Sequence, residues 1–174
     1  SSIKFHMQRL SLTEQHLIEA VDPAPMLAQV QAWSALNTGT GNLPGLAEQA
    51  RLLADAFAEL PGDVRLIEPD PVTAIAADGT TVAREHGRHL VLSVRPQARR
   101  RLLLTGHMDT VFPADHPFQH QAWLDETTLN GPGVADMKGG IAVILAALTA
   151  FESSPASQST GYDVLINSDE ETGS

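Results

Sequence analysis

Two strand-length apolar runs, RLLLTG (101–106) and YDVLINS (162–168), flank the longer run GGIAVILAALTAFES (139–153), and that arrangement restricts the fold more than any other feature of the chain. The outer runs are bounded by Arg, Gly and polar residues, as strands are. The middle run is too long for a strand and apolar on more than one face, which predicts a largely buried helix. Two further strand-length runs, VRLIE (64–68) and HLVLSV (89–94), come earlier. Upstream of Pro61-Gly62 the pattern is helical. SLTEQHLIEAVD (11–22) has a Ser/Thr start followed by acidic residues, and MLAQVQAWSAL (26–36) carries apolar residues at helical spacing. Leu46, Ala50, Leu53, Phe57 and Leu60 mark an amphipathic helix over 46–60, whereas NTGTGNLPG (37–45) reads as a loop. Helices, then strands, then helix and strand predict a layered α/β domain, with helices around a mostly parallel or mixed sheet.

Composition removes several classes of function. A net charge of −10 leaves no basic face to neutralise phosphates, which argues against nucleic acid as a partner. The basic cluster Arg99–Arg101 reads as a solvated loop. There is no cysteine, so any metal must be held by imidazole and carboxylate groups. IAVILAALTAF is about half a membrane span, so no membrane association is expected. At 174 residues one domain is expected, with SSIKFHM (1–7) as an added leader and native sequence from Gln8. The start lacks a secretory pattern, which gives the cytoplasm as the expected compartment over the periplasm or secretion.

The chemistry gathers where buried segments end. LLLTGHMDT runs directly into His107 and Asp109, and VLINSDEET into Glu170 and Glu171; GPGVADMKGG places Asp136 in a glycine-rich loop. Taken singly, each has an ordinary explanation: a hydrogen-bonded histidine, a turn aspartate, a solvated acidic pair. Jointly they point elsewhere, because ligands collect at the carboxyl ends of strands in such sheets. Adjacent carboxylates at a strand end point to opposite sides, so one can bind a cation while the other acts as proton acceptor. His107, Asp136 and a glutamate suit zinc in the absence of thiolates, and Asp109 is spaced to accept the second imidazole N–H.

GHMDTVFP, GPGVADMKGG and NSDEETGS, in this order, resemble three motifs of the dinuclear zinc peptidases that include glutamate carboxypeptidase, acetylornithine deacetylase and succinyl-diaminopimelate desuccinylase. The likeness extends upstream through NTGTGNLPGLAEQARLLADAF. It implies that His107 is a ligand of one zinc, Asp136 the carboxylate bridging both, and Glu171 a ligand of the other. Glu170 becomes the general base that activates a water between the metals, and Asp109 the residue that orients the histidine. It also implies a cis peptide bond after Asp136, with Co2+ or Mn2+ as other possible ions. Family members continue past this region with a further acidic ligand, a second histidine and an inserted lid and dimerisation domain. Residues 8–174 therefore correspond to the N-terminal part of a catalytic domain, and weak or absent metal binding and no activity are expected of the segment alone. Met108 and the GPG and Gly-Ser elements favour the glutamate-carboxypeptidase branch, acting on a small peptide or N-acyl amino acid as a homodimer. The alternatives are an N-acyl amino acid deacylase and, from another class, a non-catalytic α/β binding module.

Overall fold

The computed structural model describes residues 10–70 and 72–173; the leader expectation (1–7) lies outside the described residues. Three helices come first: α1 (Leu12–Glu19), α2 (Pro23–Ser34) and α3 (Leu43–Phe57). Each begins where the local chemistry provides a cap. Ser11 and Glu14 form a reciprocal capping box on α1, Asp22 accepts from the Ala24 amide, and Asn42 accepts from the Gly45 amide. Pro23 sits in the first turn of α2, where its missing N–H costs nothing. The third helix starts three residues before the first apolar position of its stripe, because Pro44 also fits a first turn.

The main sheet has the order β1 (Asp63–Ile67), β4 (His89–Val94), β8 (Thr160–Asn167), β5 (Arg100–His107). It is mixed: β4 runs antiparallel to β1 and β8, and β5 runs parallel to β8. The parallel pair is joined through the helix α4 (Gly139–Glu152). Two small hairpins, β2 (Val72–Ile75) with β3 (Thr81–Arg84) and β6 (Ala122–Trp123) with β7 (Leu129–Asn130), carry too little periodicity to be legible in the sequence.

Register explains the core. Leu90 pairs with Ile166, Leu92 with Val164 and Val94 with Tyr162, so these side chains share one face. All six are buried, and they form a single cluster with Leu46, Ala50, Leu53 and Phe57 of α3 and Ile141, Ala142, Leu145 and Leu148 of α4. On the opposite face Leu103 and Leu165 are exposed, and Ser93, Arg101 and Asp163 form a polar network. The 14 residues of α4 span about 21 Å, short of the roughly 30 Å hydrocarbon core of a bilayer. With the turn before it, the run Val134–Glu152 reaches membrane-span length, but its helix is broken at Asp136 and Met137.

Phe57 is fully buried where α3 meets this cluster. Phe57→Ala is expected to destabilise the fold by about 3–5 kcal/mol, read as a lowered urea midpoint with an unchanged slope.

Candidate metal centre

The parallel pairing of β5 and β8 sets His107 opposite Asn167, three residues before Glu170. Both strands therefore deliver their motifs to one edge of the sheet. Asp136 arrives on a turn of five residues, Val134–Lys138, entered through Gly133 in the left-handed region (φ 68°). A side chain on Gly133 would also press on Thr110 and Lys138. The Asp136–Met137 peptide bond is cis, as the resemblance implies.

The four residues converge. His107 Nε2 lies 2.9 Å from Asp136 Oδ1 and 4.0 Å from Glu170 Oε2. One ligand atom each from His107, Glu170 and Glu171 falls within 4.8 Å of the others, a grouping that could close on a cation. One expectation is corrected. Glu170 and Glu171 do not occupy a strand end with side chains on opposite faces, since β8 stops at Asn167 and they form a 3-10 turn, Glu170–Thr172. Strand alternation does not apply there, and both carboxylates reach the same cluster. Glu170 is exposed and Glu171 half-buried, and Asp136 keeps 77% of its side chain in solvent.

The buried part of the site is His107 and Asp109, the latter with no exposed surface. His107 Nδ1 faces two oxygens of Asp109, the main-chain carbonyl at 3.1 Å and Oδ1 at 3.3 Å, so the orienting role expected of the carboxylate is shared with the backbone. The other carboxylate oxygen, Oδ2, accepts from Thr40 Oγ1 at 2.7 Å and from the Glu171 amide at 3.2 Å. Burial works to raise the Asp109 pKa, but the donors His107, Thr40 and the Glu171 amide outweigh it and hold the carboxyl below its ordinary value. The Asp109 carboxylate, opposed by burial and helped by Asp136, lifts the His107 pKa from 6.5 to about 9. Glu171 is raised, first by burial and then by the charges of Asp136, Asp109 and Glu170 against the pull of His107.

Two supports were not singled out in the sequence. Thr40 reaches Asp109 because Gly39 lies against the chain after β5, where a Cβ would stand 2.5 Å from the Phe112 carbonyl oxygen. The Thr38 carbonyl accepts from the Thr110 amide at 2.9 Å, fixing that approach. Lys138 follows Asp136 by two residues and is buried, with Nζ donating to the carbonyl oxygens of Trp33 and Leu36 at 2.8 and 2.9 Å. Those carbonyls close the C-terminal end of α2, where a cation is favoured, although burial pushes the ammonium down to about 7. The signals were there: a Thr inside the GTG loop, and a Lys inside the quoted GPGVADMKGG. Their partners, however, are about 70 and 100 residues away in sequence.

The fold is similar to that of a Zn-dependent exopeptidase from Parabacteroides distasonis, with a TM-score of 0.56 at 20% identity over 84% of this chain and 46% of that one. Human carnosine dipeptidase 1 has a similar fold, with a TM-score of 0.65 at 19% identity over 91% of this chain and 34% of that one. Residues 103–174 match the model of peptidase family M20/M25/M40. The chain is 32% identical over 143 residues to carboxypeptidase G2 of Pseudomonas sp. (strain RS-16), covering 80% of this chain and 31% of that protein. It is 34% identical over 105 residues to the succinyl-diaminopimelate desuccinylase of Granulibacter bethesdensis, covering 56% of this chain and 26% of that protein. The chain thus spans less than a third of the length of either curated relative.

The raised pKa of His107 sets a pH window. Its folded value, about 9, lies above the ordinary 6.5, so its contribution to stability is fully present below 6.5 and is lost as pH rises through 9. A cation at Nε2 displaces one proton, so divalent-metal affinity is expected to rise about tenfold per pH unit across that window. NMR titration of the His107 ring should show a midpoint near 9. Asp109→Asn should bring that midpoint down towards 6.5, because it removes the larger of the two carboxylate contributions.

Proposed function

We propose that the whole protein is a metal-dependent hydrolase that cleaves an amide or peptide bond beside a free carboxylate. The observation that carries this reading is the convergence of His107, Asp136, Glu170 and Glu171 on one edge of the sheet, backed by buried Asp109. The donor set suits zinc: one imidazole with its second nitrogen already facing the carbonyl and carboxylate oxygens of Asp109, and several oxygen ligands without thiolates. In this reading His107 and Asp136 would hold one ion, and Asp136 and Glu171 a second. Each ion would then have two ligands among these residues, where a catalytic zinc takes three protein ligands. When bound, the metal pair polarises the scissile carbonyl and acidifies a water.

The remaining steps belong to the chain's own residues. Asp109 keeps His107 Nδ1 engaged and so directs Nε2 at the site. Through Oδ2 the same carboxylate fixes the main chain of Glu171, and with it the ligand turn. Glu170 is exposed at the mouth of the cluster and is not tied to Asp109, which leaves it free to take the proton of the attacking water and return it to the departing amine. A cavity of about 250 Å³, lined by Phe112, Phe118, Asp136 and Glu171, adjoins this point and offers room for a substrate group.

Carboxypeptidase G2 as a relative over 80% of the chain favours a carboxypeptidase-like substrate, a small peptide or N-acyl amino acid with a free carboxylate. The desuccinylase relative supports a second reading, an N-acyl amino acid deacylase using the same residues. A homodimer in the cytoplasm completes the proposal. The test is hydrolysis by the intact protein of N-acyl glutamates against N-acetylornithine and N-succinyl amino acids, with zinc content measured in parallel. Absence of bound metal and of all amide hydrolysis would leave only a binding module. In the active protein, Glu170→Gln is expected to lower kcat by about a hundredfold to ten-thousandfold with metal content and KM maintained.

A further inference from the structure

The turn that carries Glu170 and Glu171 is held from a second side, away from Asp109. His86 Nδ1 lies 3.2 Å from Asp169 Oδ2, with side-chain exposures of 5% and 8%. Neither ring nitrogen of His86 reaches hydrogen-bond geometry with any described residue, so its contact with Asp169 is a close approach of a buried imidazole to a buried carboxylate. A buried carboxylate without a counterpart is expensive, so this contact is the natural destination of the Asp169 side chain. Asp169 also opens the glutamate turn. Its carbonyl oxygen accepts from the Thr172 amide at 3.1 Å and from Thr172 Oγ1 at 3.0 Å, and the Glu170 carbonyl oxygen accepts from the Gly173 amide at 2.9 Å.

The segment around His86 grips the preceding residue as well. Ser168 Oγ donates to the Gly87 carbonyl oxygen at 2.6 Å, and the Ser168 amide donates to His89 Nδ1 at 3.3 Å. The fit is close: a Cβ on Gly87 would stand 2.9 Å from Leu46 Cβ and 3.2 Å from Ser168 Cβ. Residues 86–89 therefore form a clamp under the last residues before the glutamates, and they lie outside the cluster that faces the substrate.

We infer that His86 is a positioning residue that acts through Asp169, fixing the turn so that Glu170 and Glu171 present their carboxylates to the site together. The inference rests on the metal-hydrolase reading for its catalytic consequence, but its structural content is independent of it. Glu171 is then tied on one side by Asp109 through its amide, and on the other by His86 through Asp169. Losing the His86 contact frees the turn while leaving His107 and Asp136 in place.

The test uses the intact protein with His86→Phe, which keeps a planar ring but cannot donate, and His86→Gln, which restores a donor. Amide hydrogen exchange reads the turn directly. His86→Phe should speed exchange at Thr172 and Gly173 about tenfold, with Val164 and Ile166 unchanged, and His86→Gln should recover most of the protection. Zinc affinity and kcat should each fall by about tenfold to a hundredfold in His86→Phe, with KM within about twofold, and return towards the native values in His86→Gln. Unchanged exchange at Thr172 and Gly173 in a folded His86→Phe overturns the inference. So does a variant whose exchange rises uniformly through β8 and whose kcat is not rescued by Gln. If exchange responds as stated but neither the native protein nor any variant binds zinc or cleaves amides, the hydrolase reading fails and the positioning of the turn stands.

Discussion

The carboxylate of Asp109 has no contact with solvent, yet three parts of the chain depend on it. It meets the imidazole of His107 at the end of β5, the hydroxyl of Thr40 from the loop before α3, and the amide of Glu171 beyond β8. A buried charge is tolerated only when it is paired and hydrogen-bonded, so these donors are a condition for folding as well as features of a site. The same bonds decide chemistry. An Asp109 held ionised by Thr40 and Glu171 is what raises His107, and a fixed His107 Nδ1 is what aims Nε2 outward.

The architecture makes such a centre possible through one choice of strand direction. Were β5 and β8 antiparallel, His107 and the glutamates would lie at opposite ends of the sheet. Parallel pairing requires a long crossover, and the apolar α4 supplies it while burying Ile141, Ala142, Leu145 and Leu148 against the sheet. The turn with Asp136 sits within that crossover, directly before α4, so the bridging candidate is delivered by the same connection that sets the strand direction. Lys138 then anchors the turn to the end of α2, joining the helical layer to the site.

Much of this was legible. The apolar runs are read correctly as β1, β4, β5, α4 and β8 because burial on a sheet or helix imposes its period on the residues themselves. The convergence of His107, Asp136, Glu170 and Glu171 could be anticipated from their positions at the ends of those runs. The small hairpins could not, since strands of two to four mostly exposed residues leave no apolar rhythm. The disposition of Glu170 and Glu171 was misread for a related reason. Where β8 stops depends on backbone bonding by Asp169 and Thr172, which residue types do not advertise.

The sequence by itself determined the kinds of atom available to the site, imidazole and carboxylate without thiolate, and the order of elements that could bring them together. It also determined the helix starts, because caps are local: Ser11, Asp22 and Asn42 act within three residues of themselves. Tertiary structure decided which buried polar groups pair. Thr40 with Asp109, Lys138 with Trp33 and Leu36, and His86 with Asp169 join residues some 70 to 100 positions apart. Nothing in the local sequence specifies those partners, because a buried donor takes whichever acceptor the packed fold brings within about 3 Å.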